Sequence, residues 1–293
     1  MSTSHDASLL VVVIDVAPAT LVTTLSPLKV FLEAHVIMRP GNRVVLLATF
    51  GGKSAYVNVP VDSSAGPGRA GALFGEGGVT QACAALHEAA LAAGPCAGRC
   101  SMAAAVSMAV CFIHRWSMPP EPVATRTENY ARIFILTEAA TPLGDQYRPL
   151  MNCVFSAQKM GVLIDCLNFS RTQADIPPMQ QACFLTGGTY VHAYENVDSA
   201  AQDRLVPHVL PLLVYHFLSP QPCRRVLSSP SQQTVAFNAT CFETGESINI
   251  GYLCSVCLSV TRRKTKECLT CNSAFPLERN RAAVIRRKPP SKS

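Results

Sequence analysis

Charge is what this chain has least of. Only 15% of its 293 residues are Asp, Glu, Lys or Arg, against roughly 25% for an average soluble domain. A surface so poor in charge is expected to be covered by partners, which points to a subunit of a complex. Long apolar runs are also missing. No stretch of 18 uninterrupted apolar residues exists, so no membrane-spanning helix is expected. The Ala-rich region 81–110 is broken by His87, Glu88 and Arg99. The first six residues carry no basic region, and the apolar run that follows is too short for a signal peptide. No Gly-x-Ser-x-Gly or Gly-x-Gly-x-x-Gly motif stands in a fitting context, so the common nucleophile-elbow and dinucleotide-binding readings fall away.

Cysteine, by contrast, is abundant, with 13 residues. Nine of them, Cys83, Cys96, Cys100, Cys111, Cys153, Cys166, Cys183, Cys223 and Cys241, lie mostly in apolar runs, where a thiol behaves as a small hydrophobe. A reduced, intracellular setting is expected. The other four form two Cys-x-x-Cys knuckles, Cys254/Cys257 and Cys268/Cys271, separated by ten residues with no competing Cys or His. Two such knuckles can place four thiolates at the corners of one tetrahedron, which a structural zinc ion requires. The competing readings are a pair of disulfides or four unrelated thiols. Zinc is preferred, as one structural ion held by Cys254, Cys257, Cys268 and Cys271.

Ahead of the knuckles, apolar runs alternate with helical spacing. Strands are expected at 9–15, 42–50, 54–60, 131–137, 162–169 and 189–194. Helices are expected at 27–38, 81–93, 100–116, 150–160, 179–186 and 199–218, and a loop at 62–78. The strands are continuous apolar runs, the pattern of a parallel sheet buried on both faces, and the alternation implies right-handed crossovers in a doubly wound α/β fold. A Pro/Ser-rich linker is read at 221–233. A β-hairpin, 234–242 with 247–253, leads into the first knuckle. This second module, 234–276, is too small to hold itself without a staple, which zinc supplies. The α/β domain is thus 1–220, and 277–293 is a basic tail. Ten Lys/Arg and two Glu give residues 262–293 a net charge of +8 against +6 for the whole chain, so residues 1–261 sum to −2.

Several other places invite a chemical reading. Asp15 ends the first strand, where ligands of open α/β sheets bind. The segment is similar in place to the Asp-x-Ser-x-Ser of von Willebrand A domains, whose acid and hydroxyls hold a divalent cation, but the two serine positions are Ala17 and Ala19 here, so no Mg²⁺ is expected at Asp15. Lys53 and Ser54 after two glycines resemble a phosphate loop, but Leu47 stands where its first glycine belongs and a strand follows, so a hairpin turn is expected. Cys111, His114 and Arg115 share a helix without a third group to orient them, and core packing is the reading preferred over a nucleophile–base pair. Arg262, Arg263, Lys264 and Lys266 lie between the knuckles, where cations offset the excess negative charge of four thiolates around one Zn²⁺. No aromatic residues interleave the basic ones after Phe275, so a solvated tail or import signal is favoured over direct DNA contact.

The chain resembles a known family. The carriers are Gly251, Tyr252, Cys254, Ser255, Val256 and Cys257, with Cys268 to Phe275 following. Further matches are residues 9–18, 109–115, 152–159 with 162–165, and Gln180 to Cys183 with 186–188. Together they are similar to the thirty-four-kilodalton subunit family of the general transcription and DNA-repair factor TFIIH. The resemblance covers nearly everything except 62–81 and the tail. It implies a von Willebrand A-like domain followed by a four-cysteine zinc module, and a non-enzymatic nuclear subunit of the TFIIH core complex. Its implied partner is the forty-four-kilodalton subunit that regulates the repair helicase, and its implied processes are RNA polymerase II initiation and nucleotide excision repair. The alternative is direct nucleic-acid binding by the zinc module and tail. Family members often carry a further cysteine between the knuckles. Arg262 takes about that place here, which removes an alternative ligand.

Overall fold

The structure is a computed structural model. It describes residues 8–50, 52–57, 78–93, 101–117, 130–138, 146–170, 176–194, 206–224, 226–227, 239–244, 247–248, 250–257 and 259–275. The chain divides into two compact units, Met1–Phe237 and Asn238–Ser293.

The first unit is a six-stranded sheet with helices on both faces. In chain order its elements are β1 (Ser8–Asp15), α1 (Pro18–Ile37), β2 (Arg43–Phe50), β3 (Lys53–Tyr56), α2 (Gly78–Ala93), α3 (Met102–Ser117) and β4 (Tyr130–Thr137). They continue with α4 (Tyr147–Lys159), β5 (Leu163–Asn168), α5 (Pro177–Thr186), β6 (Tyr190–His192), α6 (Val206–Phe217) and α7 (Gln221–Arg224). The strand order is β3-β2-β1-β4-β5-β6. All neighbours run parallel except β2 and β3, which form an antiparallel pair with Phe50 opposite Lys53. That pair makes the glycine segment before Lys53 a hairpin turn, with Gly52 at φ 77°, where a side chain is disfavoured.

The central strands are mostly apolar on both faces because the pleat sends alternate side chains to opposite faces, and both faces are covered. Leu10, Val12 and Ile14 of β1 point into a core shared with Leu28, Phe31 and Leu32 of α1, Leu86 of α2 and Phe217 of α6. Leu9, Val11 and Val13 point the other way, into a core shared with Val106 and Ala109 of α3, Val154 of α4 and Met179 of α5. Phe134 of β4 sits between Phe31 and Phe217, with ring centroids at 5.5 and 4.7 Å. Tilted pairs at such distances contribute about 0.5–1.5 kcal/mol each beyond area burial.

Several boundaries differ from the sequence reading. α1 starts at Pro18, nine residues before Pro27. Pro18 occupies the first turn, where its missing N–H costs nothing. Pro27 is carried inside the helix, because the buried Leu21, Thr24, Leu28 and Phe31 stripe continues across it. By length and composition α1 could cross a membrane, but Leu21, Leu28, Phe31 and Leu32 are fully buried against the sheet, so it is a core helix of this unit. The expected helix 199–218 is described from Val206, and its first part lies outside the described residues, as do the tail 277–293 and all of the expected loop 62–78 except Gly78, which begins α2.

Residues 221–224, read as the start of a linker, form α7. The physical reason is Arg224, whose guanidinium grips both carboxylate oxygens of Asp165 on β5 at 2.6 and 2.7 Å. Asp165 is fully buried and also accepts the Thr189 amide at 2.9 Å. Arg132 of β4 lies 3.8 Å from the same carboxylate and donates to the carbonyls of Phe217, Leu218 and Ser219 at the C-terminus of α6. Burial pulls its pKa down to about 10, with Asp165 resisting and Arg224 adding to the fall. At the α5–β6 turn, Gly187 caps the helix at φ 74°. A Cβ on Gly188 would lie 1.9 Å from the Ile164 carbonyl oxygen, which permits glycine alone.

In the second unit, β7 (Ala239–Thr240) pairs antiparallel with β8 (Ser247–Ile248), and β9 (Tyr252–Leu253) with β10 (Val260–Thr261). The expected single hairpin 234–242/247–253 is therefore divided. Residues 252–253 turn away from it and pair beyond the first knuckle.

Candidate metal centre

The site grows out of the β9–β10 pair. With Leu253 opposite Val260 and Tyr252 opposite Thr261, the six intervening residues must close a tight loop. The Cys254 amide donates to the Ser259 carbonyl at 2.9 Å and completes it. Gly251 precedes the pair because a Cβ there would meet Val260 Cγ1 at 2.6 Å and Ile248 Cδ1 at 2.8 Å. The second knuckle repeats the pattern. Glu267 bridges Ala274, and the Cys268 amide donates to the Ser273 carbonyl at 2.8 Å. Asn272 adopts φ 56°, a left-handed conformation that Asn tolerates better than most residues. Its amide donates to the Cys268 carbonyl at 2.8 Å.

The two loops bring Cys254, Cys257, Cys268 and Cys271 together, with all four sulfurs within 4.8 Å of one another. Cys254 and Cys271 Sγ are 3.7 Å apart, and Cys257 and Cys268 Sγ 3.6 Å. Zinc–sulfur bonds of 2.3 Å directed tetrahedrally separate the sulfurs by about 3.8 Å. The donor set therefore fits one tetrahedral metal ion with no protein position left open. Every described cysteine is a free thiol, these four included, so the disulfide alternative is set aside. The Ser259 hydroxyl foremost, then the amides of Thr270 and Cys271, hold the Cys268 thiol down to about 5 against burial. Cys257 is also lowered, chiefly by the Ser259 hydroxyl and amide. These donors favour the thiolate, the form that binds metal.

The sequence reading missed these serines, although both knuckles read Cys-x-x-Cys-x-Ser and the repeat was a usable signal. It also counted Cys241 among the apolar thiols. Its side chain is buried, which pushes its pKa up. The Thr244 hydroxyl and the amides of Thr244, Glu243 and Arg262 outweigh burial and leave the thiol below its ordinary range. Arg262, Arg263, Lys264 and Lys266 are all exposed.

The remaining candidate residues lie apart from this centre. Asp15, at the end of β1, accepts the Thr49 hydroxyl at 2.6 Å and the Thr137 hydroxyl at 3.2 Å, one on each oxygen. The Ala17 amide donates to Glu138 at 3.0 Å. Cys111, His114 and Arg115 were expected in the core, yet all three are exposed on α3. The buried stripe of that helix runs through Val106, Ala109, Val110, Phe112 and Ile113, and the helical period turns 111, 114 and 115 outward. Arg115 covers the ring of Phe112 at 5.3 Å.

The sequence pattern of the Tfb4 transcription factor family matches residues 74–272. The chain belongs to that family. A general transcription and DNA repair factor IIH subunit TFB4 from Kluyveromyces lactis is 29% identical over 282 residues, covering 92% of this chain and 79% of that protein. General transcription factor IIH subunit 3 of Dictyostelium discoideum is 30% identical over 178 residues, 61% of this chain and 43% of that protein. This chain thus spans less than half of the Dictyostelium relative. Among solved structures, the N-terminal domain of TFIIH p34 aligns with a TM-score of 0.50 at 21% identity, over 71% of this chain and 97% of that one. The first unit shares this α/β fold, and a cluster of four cysteines follows it in the chain.

Proposed function

We propose that this chain is a structural, non-enzymatic subunit of the TFIIH core complex, acting in the nucleus in RNA polymerase II initiation and nucleotide excision repair. The observation that carries the reading is the family match over residues 74–272, supported by likeness to a TFIIH subunit across 92% of the chain. Its partners are other core subunits, chiefly the forty-four-kilodalton subunit that regulates the repair helicase. With α7 included, residues 1–224 form the docking domain, 225–233 the connection, 234–276 the zinc module and 277–293 a basic tail. One zinc ion, held by Cys254, Cys257, Cys268 and Cys271, staples the module. With four thiolates bound, the ion has no open coordination position and works by folding rather than by catalysis. Hydroxyls on both oxygens of Asp15, with methyl groups at positions 17 and 19, favour protein contact over cation binding at the first unit.

Affinity purification of the tagged full-length chain from its own cells, with identification of the co-purifying chains and metal analysis, tests this. Recovery of the TFIIH helicase subunits and one equivalent of zinc is expected. Recovery of the chain alone, or less than half an equivalent of zinc, overturns the reading. The exposed Arg262, Arg263, Lys264 and Lys266 favour a second reading, direct DNA contact. DNA binding by the full chain at moderate salt with a steep salt dependence would establish it.

A further inference from the structure

The two serines of the Cys-x-x-Cys-x-Ser repeat look equivalent in sequence and are used differently. Among the described residues, Ser273 contacts its own knuckle only. Its carbonyl accepts the Cys268 amide at 2.8 Å, and its half-buried hydroxyl lies 3.0 Å from Cys271 Sγ. Ser259 closes its own knuckle in the same way, with the Cys254 amide on its carbonyl at 2.9 Å and its hydroxyl 3.1 Å from Cys257 Sγ. The same hydroxyl also lies 3.2 Å from Cys268 Sγ in the opposite knuckle, and Ser259 is only 1% exposed. One serine therefore touches three of the four cysteines and spans the two loops.

A hydroxyl brings one proton and two lone pairs. Metal-bound thiolates bring no proton, so the single O–H must be directed at, or shared between, Cys257 and Cys268. We infer that Ser259 is a positioning residue of the metal centre, a buried hydroxyl that ties the first knuckle to the second through their ligand sulfurs and sets the donor strength of those sulfurs. A hydrogen bond to a thiolate disperses the excess negative charge of a four-thiolate centre and lowers the sulfur's proton affinity, so the sulfur is less readily protonated off the metal and releases it more slowly to a competing ligand. Ser273, with one sulfur and partial exposure, has the smaller influence. This inference rests on the metal-binding reading above.

The test uses the full-length chain as wild type, Ser259→Ala, Ser259→Thr and Ser273→Ala. Two quantities are read: the rate of zinc transfer to an excess chelator, and the energy of the sulfur-to-cobalt charge-transfer band after Co²⁺ substitution. Loss of an outer partner to a ligand commonly weakens metal binding by about 10–100-fold. Ser259→Ala is expected to speed zinc transfer at least about tenfold on that basis and to move the cobalt band to lower energy. Ser259→Thr, which keeps the hydroxyl, is expected to behave as wild type, and Ser273→Ala to shift both readouts less. An unchanged band and rate in Ser259→Ala overturn the inference, as does an equal effect in Ser273→Ala. If Ser259→Ala retains no metal at all, the threonine variant decides. Wild-type behaviour upholds the hydroxyl, and failure like that of alanine overturns it. Wild-type protein without zinc defeats the earlier metal reading, whereas zinc-loaded wild type indistinguishable from Ser259→Ala defeats this one alone.

Discussion

His35 shows how one residue couples this fold to pH. It lies on the inner face of α1, 2% exposed, and its Nε2 has no hydrogen-bond partner. Burial first, and the nearby Arg132 guanidinium second, lower its pKa to about 3. An unfolded histidine titrates near 6.5. Between those values the folded state binds fewer protons than the unfolded one, so stability is intact above about pH 6.5 and falls as pH drops through the window. The slope contributed approaches ~1.4 kcal/mol per pH unit. Urea denaturation at pH 7, 6, 5 and 4 should show this decline, and His35→Leu should flatten it. The serine repeat belongs to the same scale. A hydroxyl two positions after each second cysteine is legible in the sequence, but which of the two reaches across to the other knuckle is not.

At the scale of elements, α7 is the segment whose role was least legible. Its four residues carry a proline and follow another, and nothing local distinguishes them from a linker. What fixes them is 59 residues away in sequence, the buried carboxylate of Asp165. One acid facing two guanidiniums is balanced by the α6 carbonyls that Arg132 also engages. Removing the acid leaves buried positive charge without its partner. Asp165→Asn, which keeps the shape, should therefore cost about 3–5 kcal/mol. Arg224→Ala should cost less, because Arg132 then retains Asp165 to itself. Chemical denaturation of both variants checks the order, and amide exchange should show α7 and the end of α6 loosened first in Arg224→Ala.

For the whole molecule, the two units rest on different physics. The first has two apolar cores, one on each face of its sheet. Among its described residues the second has β pairs of two residues each and few buried apolar side chains, too little to offset the entropy of ordering it. Chelating the metal from the full chain should therefore abolish amide protection in residues 250–275 and leave β1, β2, β4 and β5 protected. Hydrogen exchange read by mass spectrometry distinguishes the two, and Cys254→Ser should reproduce the chelated pattern. Protection in residues 250–275 that survives metal removal would contradict this account.

Local patterns determined the alternation of strands and helices, the double burial of the central strands and the four-sulfur site. Each is written in spacings of two, three or four residues, which a short stretch of chain expresses by itself. Tertiary structure decided the extension of α1 through Pro27, the outward turn of Cys111, His114 and Arg115, the anchoring of α7 on Asp165 and the reach of Ser259. Each of these depends on which distant surface a residue meets. A buried stripe outweighed a proline, a helix face was assigned by the sheet it packs on, and a buried carboxylate selected its guanidinium from another part of the chain.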